Sequence, residues 1–531
     1  MYRRDRIYIS DPDAERQGSG GISAFFGGLV SPKDEVIRGK IGEDLSQSQV
    51  ADLITGIVRR TVTPGQLTPL MEAEISERDY FGPQSPLPSW DEVRERVKQE
   101  WNHQPQLDLS PDDLSNAIMW LRSLIPANSL RSWSMKRAID EMDLTTNSGF
   151  PFFTRRSTIV PQSTSLAERA LRTEGYRALY IYGSRAKPTE ETPERRTVYM
   201  AQFHLNIIEK MIQMPLTNAL RRTGFFTSWE GPEQVDARLK NLSSLRGGQT
   251  LVSFDASGFD WHVHRELIMI VQDIVTYWFQ PSDEPIIDRC FNHVLDSDLL
   301  TPDGIWEGTE DGIKSGWGLT NVVDSLINLV ALVYVQHRLG LTTSLLGNGL
   351  PQLNGDDAIF RMLESVSNED LERSYDEIGF KVSARKQHFS TDFVTFNSRV
   401  HIDGLDGIRP LWRFARGFFF PERANIVSDK GHTLIALAKL HTVETHPGFL
   451  EVARQIKAMD DFGLGTTGKH SLESITSGEV VQEVKDSLKV DVKNEQRGSL
   501  TLRGLKSWRI VTFPAGHFKP VPLAVSSPGR G

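Results

Sequence analysis

The sequence predicts an α+β protein whose subdomains surround a shared cleft, and three features carry that expectation. At 531 residues the chain is longer than a single hydrophobic core serves. Hydrophobic residues make up 39% and charged residues 24%, the balance of a globular protein and not of a disordered one. Short β-type runs, at 250–254 and on both sides of 354–357, are interleaved with longer stretches of helical periodicity such as 267–278 and 319–330.

Composition narrows the function classes. No uninterrupted apolar run is long enough to span a bilayer, and Met1-Tyr2-Arg3-Arg4-Asp5-Arg6 leads into a polar stretch, so a soluble, non-secreted protein with no membrane partner is expected. The one cysteine, Cys290, excludes an intramolecular disulfide and a multi-cysteine zinc site, and reads as a small buried hydrophobe. A net charge of −9 has the wrong sign for a protein that coats nucleic acid with its whole surface. It leaves room for an enzyme that grips nucleic acid in an internal channel lined by local basic clusters.

Taken in order, the chain begins with a Gly-, Ser- and charge-rich arm to about Asp34, whose apolar island Phe25-Phe26 is suited to docking elsewhere on the fold. A helical charge pattern around Glu92 to Glu100 lies between Trp90 and Trp101, and Pro111-Asp112-Asp113 opens a helix with Leu114, Ile118 and Leu121 on one face. Asn147-Ser148-Gly149, followed by Phe150-Pro151, predicts a tight loop with exposed backbone N–H groups. With Arg155 and Arg156 close by, it suits contact with RNA phosphates, although a plain turn has the same composition. Arg185, Lys187, Arg195 and Arg196 sit on the two arms of a Pro-broken ribbon, where guanidinium forks match triphosphate oxygens; the alternative is a solvated charge run laced with salt bridges. Leu205, Ile208 and Ile212 then mark a core helix.

Acidic residues organise the next part of the chain. A buried strand at 250–254 ends in Asp255, Asp260 comes five residues later, and a helix begins beyond, which puts carboxylates at the rim of a sheet. Ser315-Gly316 opens a Gly-rich loop running into an amphipathic helix whose polar stripe is Thr320, Asp324 and Asn328. Leu353-Asn354-Gly355-Asp356-Asp357 reads as a hairpin turn, with Asn-Gly pointing to the type I′ form that needs positive φ at both central residues. Alone, such a turn is a solvated hairpin tip. A capped helix starts near Ser367 and ends at Gly379, an edge strand is expected at 380–382 with Lys386 past it, and 393–400 reads as a strand interrupted by Asn397-Ser398-Arg399. Two divalent ions about 4 Å apart activate an attacking hydroxyl and stabilise a leaving pyrophosphate, and holding them takes carboxylates from more than one strand end. Asp255 and Asp356 form the natural pair for Mg²⁺, which takes a few carboxylates plus phosphates and water. The basic ribbon then serves to neutralise the triphosphate.

In this order, from about Thr145 to Val400, the segments resemble the motifs of viral RNA-dependent RNA polymerases. Asn147 to Pro151 resembles the loop that meets incoming template, Arg185 to Val198 the basic finger motif, and Asp255 with Asp260 the first palm motif. Ser315, Gly316 and Thr320 resemble the second motif, Gly355-Asp356-Asp357 the third, Gly379 with Lys386 the fourth, and Phe396 to Val400, with Arg399, the strand at the palm–thumb junction. The Val323-Asp324-Ser325 run and the length are similar to polymerases of bisegmented double-stranded RNA viruses of the picobirnavirus and partitivirus type.

The resemblance implies a right-hand fold of fingers, palm and thumb, closed by an N-terminal finger–thumb connection. It divides the chain into an N-terminal arm and fingers (1–203), palm (204–262), a fingers insertion (263–312), palm again (313–405), and thumb with C-terminal tail (406–531). It implies metal binding by Asp255 and Asp356 with Asp357 assisting, triphosphate contact by Arg196, and Lys386 as general acid or else a solvated surface lysine. Further implied are Mg²⁺ with Mn²⁺ as the alternative, a template and nascent RNA strand, NTPs, a capsid protein as partner, a monomeric polymerase, residence in the virion interior and host cytoplasm, and initiation without a primer; the Pro-rich tail from Pro514, or else a neighbouring thumb loop, is expected to support such a start.

The pattern departs from the family at Asp324, where many members have Asn, so that ribose recognition is either arranged differently there or shared with Asn328, and at Asn354, where an aromatic residue or Ser often stands. One rival is a reverse transcriptase-like polymerase, which usually carries a bulky aromatic where this chain has Asp260, a residue able to accept a hydrogen bond from a ribose 2′-hydroxyl. The other is a non-catalytic capsid or RNA-binding protein, which has no reason to place these carboxylates and loops in polymerase order.

Overall fold

A computed structural model describes residues 36–488 except 84–87, 188–193, 309–310, 348, 383–386, 423–424, 426, 461, 463–473 and 475–476, together with 21–22 and 24–27. The expected tail from Pro514, most of the N-terminal arm and Lys386 therefore lie outside the described residues.

The N-terminal helices α1 (Gln47–Thr61) and α2 (Thr68–Arg78) precede α3 (Trp90–Trp101) and α4 (Pro111–Arg122). Ser46, Ser89 and Ser110 occupy the N-caps of α1, α3 and α4, and Ser46 and Ser89 close capping boxes with Gln49 and Glu92. The basic ribbon is β1 (Ala178–Lys187) and β2 (Glu194–Met200), paired antiparallel so that Arg185 faces Arg196. It leads into α5 (Phe203–Leu220), buried on nearly all sides, and then into the palm strand β3 (Thr250–Asp255).

Helices α6 (Arg265–Trp278) and α7 (Glu284–Leu295) lead to β4 (Ser297–Thr301) and β5 (Gly304–Trp306). These two strands were not legible in the sequence, and they complete a sheet of order β2-β1-β4-β5 in which β1 and β4 run parallel. The segment 263–312 thus joins the same sheet as the basic ribbon. Helix α8 (Thr320–Arg338) comes after it, then β6 (Gln352–Asn354), β7 (Asp357–Met362) and α9 (Asn368–Asp376), which Ser367 caps as the sequence predicts.

The second sheet, of order β6-β7-β3-β8 with β8 at His388–Ser390, is antiparallel throughout. Its inner strand β3 buries Leu251, Val252 and Phe254, which is why it reads as a continuous apolar run. Two expectations fail here. The edge strand expected at 380–382 is reduced to a single bridge between Ala256 and Val382, and β8 forms the edge instead. The strand expected at 393–400 is a hairpin of β9 (Phe393–Phe396) and β10 (Arg399–Ile402), because Asn397 and Ser398 both take positive φ, 50° and 62°, as a two-residue I′ turn requires.

Helices α10 (Leu411–Phe419), α11 (Asp429–His441) and α12 (Phe449–Met459) form a separate C-terminal core with Trp412, Phe418, Leu437 and Phe449. Val50, Ile54 and Ile57 of α1 belong to that same core. The buried Glu74 of α2 accepts the backbone N–H groups of Leu411 and Trp412 and faces His446, so it caps α10 from across the fold. The described residues before 203 thus contribute to more than one core. Ile22, Phe25 and Phe26 pack with Phe150, Ile181 and Leu300, while α1 packs with the C-terminal helices and α2 packs with Val400, Ile402 and Ile408 and reaches α10 through Glu74. This crossing is the expected N-terminal connection, and the Arg185 fork on Glu422 adds a direct tie from ribbon to C-terminal core. No helix among the described residues is long and apolar enough to cross a membrane.

Candidate active site

The register of the palm sheet builds the acidic centre. Asp255, the last residue of β3, pairs directly with Asp357, the first residue of β7, and Asn354 pairs with Asp357 across the β6–β7 turn. The central residues of that turn are thus Gly355 and Asp356, one position later than an Asn-Gly turn. Only Gly355 has positive φ, 64°, the arrangement of a II′ hairpin with Gly in the first central position. Asp356 is thereby left exposed at the apex.

The turn is held from behind by α8. Ser325 Oγ accepts the Gly355 N–H at 2.8 Å, and Asn328 Nδ2 donates to the carbonyls of Gly355 and Asp356 at 3.1 and 3.2 Å. The polar stripe of α8 is accordingly not an open substrate-facing surface. Asn328 is fully buried with its donor committed to the turn, and the Thr320 hydroxyl donates to the Lys314 and Trp317 carbonyls. Asp324 is buried too, and burial, reinforced by Asp260 and Asp356, pushes its carboxyl well above the usual range.

Asp260 keeps a third of its side chain exposed and lies 3.7 Å from Arg196. Burial pushes its pKa up to about 6; Arg196 opposes that rise, and Asp356 adds to it. Three carboxylates, Asp260, Asp324 and Asp356, thus feel one another, with Arg196 as a counter-charge for Asp260, and Asp255 stands beside them through its pairing with Asp357. Among the described residues no three acidic, His or Cys side chains converge closely enough to hold a metal unaided. A shallow rim of this kind suits an ion that draws its remaining ligands from phosphates and water.

The loop before α8 is pinned to β2. Ser315 Oγ accepts the Tyr199 N–H at 3.0 Å, and a Cβ at position 316 would lie 2.1 Å from the Tyr199 carbonyl, so only glycine fits there. The backbone N–H groups expected to be free at 147–149 are used internally: Ser148 N donates to Thr154 O, and Gly149 N to Asn147 Oδ1. Arg156 turns inward, donating to the Asn147 carbonyl and Asn206 Oδ1 over the Phe203 ring, whereas Arg155 is exposed. Arg399 is also turned inward, to Asp236 and the Gly407 carbonyl. Only the backbones of Lys187 and Arg195 are described, within the β1–β2 pairing.

Ser228, Trp229 and Asn321, which sequence reasoning passed over, close a ring beside the turn with Asn354 and Asn397. Trp229 Nε1 donates to Asn321 Oδ1, Asn321 Nδ2 to Asn354 Oδ1, Asn354 Nδ2 to Asn397 Oδ1, and Asn397 Nδ2 to Ser228 Oγ, which returns to the residue beside Trp229. Asn397 N also donates to Asp357 Oδ2 at 2.7 Å. The ring explains why Asn stands at 354: it needs a side chain that both donates and accepts. Its signal in the sequence, three asparagines beside three motifs, gains meaning only when the hairpins are brought together.

A strand-end Asp facing a Gly-Asp-Asp hairpin, with a glycine loop and helix behind it, defines the palm of a right-hand polymerase. The profile of the family described as viral RNA-dependent RNA polymerase matches residues 121–406, more than half of the chain, and the chain belongs to that family. Over 455 residues it is 25% identical to a potential RNA-dependent RNA polymerase of human picobirnavirus, covering 80% of this chain and 83% of the relative. Over 236 residues it is 25% identical to an RNA-directed RNA polymerase of Cryptosporidium parvum virus 1, covering 41% and 42%. The crystal structure of a human picobirnavirus RNA-dependent RNA polymerase superposes with a TM-score of 0.77 at 22% identity, covering 95% of this chain and 98% of that one. The protein is an RNA-directed RNA polymerase, so RNA and NTPs are its partners, and its family uses divalent metal ions.

Proposed function

We propose that this polymerase replicates and transcribes a double-stranded RNA virus genome by two-metal nucleotidyl transfer, with Asp255 and Asp356 as the metal-binding residues. The observation that carries the reading is the pairing of Asp255 with Asp357 beside an exposed Asp356, which sets carboxylates from two strand ends at one rim. Bound Mg²⁺, or Mn²⁺, supplies activation of the attacking 3′-hydroxyl and neutralisation of the departing pyrophosphate. Asp357 is auxiliary, since one of its oxygens accepts the Asn397 N–H. Arg196 serves the incoming triphosphate and orients Asp260. Asp260 accepts a hydrogen bond from the ribose 2′-hydroxyl, and the buried Asp324 supports it from behind. Lys386 protonates pyrophosphate, Arg155 contacts template phosphate, and the tail from Pro514 supports initiation without a primer. The fingers, palm and thumb have their boundaries at 203, 262, 312 and 405, with α1 assigned to the thumb core. The enzyme acts as a monomer inside the virion and in the host cytoplasm, with capsid protein as its partner.

The test is nucleotide incorporation on an RNA template by wild type and by Asp356→Asn. Loss of incorporation in the variant is expected; equal incorporation removes the mechanism. For ribose selection, Asp260→Ala is expected to relax discrimination against dNTPs, and efficient dNTP use by wild type with Mg²⁺, unchanged in the variant, overturns that role. Deleting residues 514–531 is expected to impair primer-independent starts more than primed extension, and equal effects overturn the assignment of the tail.

A further inference from the structure

Between β2 and the body of α5 runs a short segment, residues 199–206, that is clasped on two sides. On one side the loop of Asn147 to Arg156 is docked to it: Phe203 N donates to the Ser148 carbonyl, and Arg156 Nη2 donates to Asn206 Oδ1 at 3.0 Å. On the other side lies the loop before α8, pinned through Ser315 to Tyr199 N. Asn206 touches both loops, because its Nδ2 donates to the Gly316 carbonyl at 3.1 Å and to Glu209 Oε2 at 2.8 Å. Glu209 is fully buried; its Oε2 also accepts the Gly318 N–H at 2.7 Å, and its Oε1 meets His293 Nδ1 at 2.9 Å.

A buried carboxylate costs desolvation that an apolar residue of similar volume avoids, so packing alone does not account for Glu209. Its four-residue chain, Arg156–Asn206–Glu209–His293, does something packing does not. It grips the 315–318 loop at two backbone points, one donor and one acceptor, and ties that grip to an arginine of the other loop.

We propose that Asn206 and Glu209 are positioning residues that couple the seating of the template loop at 147–156 to the nucleotide-binding loop at 315–318. The inference rests on the polymerase reading of those two loops. With template seated, Arg156 holds Asn206 in the rotamer that fixes the Gly316 carbonyl, and Glu209 fixes Gly318 N. Nucleotide addition is thereby sensitive to a contact remote from the nucleotide.

The experiment is a double-mutant cycle on the full chain with Arg156→Gln, Glu209→Gln and the double variant, measuring kcat and KM for NTP and, separately, RNA template affinity. Each single variant is expected to lower kcat/KM for NTP about tenfold, with the double variant no worse than the more impaired single. Multiplicative losses in the double variant, or losses confined to template affinity, overturn the coupling. Asn206→Ser guards against a folding artefact, because it sets no second carboxylate beside Glu209 while removing the reach to both Arg156 and Gly316, and its melting curve is recorded beside its kinetics. That variant is expected to melt cooperatively, bind template normally and add nucleotides more slowly; wild-type addition overturns the proposal. Asp356→Asn run alongside reports on the metal-binding turn alone, so a failure of that reading is told apart from a failure of the coupling.

Discussion

Two hairpin turns lie side by side in the palm, and they differ in what their backbones are for. The β6–β7 turn puts Gly355 at positive φ and leaves Asp356 exposed. The β9–β10 turn puts Asn397 and Ser398 there and exposes no carboxylate; Asn397 instead reaches back to Asp357, Asn354 and Ser228. One turn presents charge, and the other braces the first. The lesson is that an acidic apex gripped only by its own two strands would be a solvated tip, whereas this one is held by Ser325, Asn328 and the neighbouring hairpin.

The largest expected effect separates the roles. Asp356→Asn should reduce incorporation by at least about a hundredfold while leaving the melting temperature within a few degrees of wild type, read by primed extension and calorimetry. A comparable activity loss in Ser398→Gly, which alters only the bracing turn, would erase the distinction.

Next, Asn354→Ala and Asn397→Ala each open the asparagine ring, the first leaving the half-buried Asn397 amide and the second the buried Ser228 hydroxyl without that partner. Each is expected to cost about 1–3 kcal/mol of stability. Because they share one hydrogen bond, their double variant should cost less than the sum, and additive costs would mean the ring does not act as a unit.

The turns themselves predict opposite responses to glycine chemistry. Gly355→Ala forces a Cβ into left-handed backbone and should destabilise by about 1–2 kcal/mol, whereas Ser398→Gly relieves that same strain and should raise Tm by roughly 1–3 °C. A Tm drop in the second variant would show that the Ser398 side chain matters more than its backbone.

The smallest effect is in pH, and its signs are opposed. Near the first turn, Asp260 is pushed up to about 6 from 3.8, chiefly by burial, so its contribution to stability is complete below pH 3.8 and is lost as pH rises through 6. In β10, burial lowers His401 from 6.5 to about 3, with Arg399 adding to the effect, so its contribution is complete above pH 6.5 and fades as pH falls toward 3. In metal-free protein, Asp260→Asn should therefore gain on wild type as pH rises from 5 to 7, and His401→Gln should gain as pH falls from 7 to 5. Melting curves that move in parallel for all three proteins would contradict both.

The sequence by itself determined the order of the parts. Local physics was enough for the Asp255 strand, the Ser367 cap, the basic ribbon and the Gly355 hairpin, because alternation, capping and turn chemistry act over a few residues. It was not enough for the turn type, which depends on which residue of β6 faces Asp357, nor for the hairpin at Asn397-Ser398, where positive φ in two non-glycine residues leaves no mark in an apolar pattern. The polar stripe of α8 suggested a substrate face, and tertiary packing turned Asn328 inward to hold the turn. Only the fold brought α1 into the C-terminal core and Glu74 of α2 to the start of α10, joined β4 to β1, and closed three asparagines and two loops around shared hydrogen bonds. Those contacts link residues far apart in the chain, and a hydrogen bond between distant side chains has no periodicity for a sequence to display.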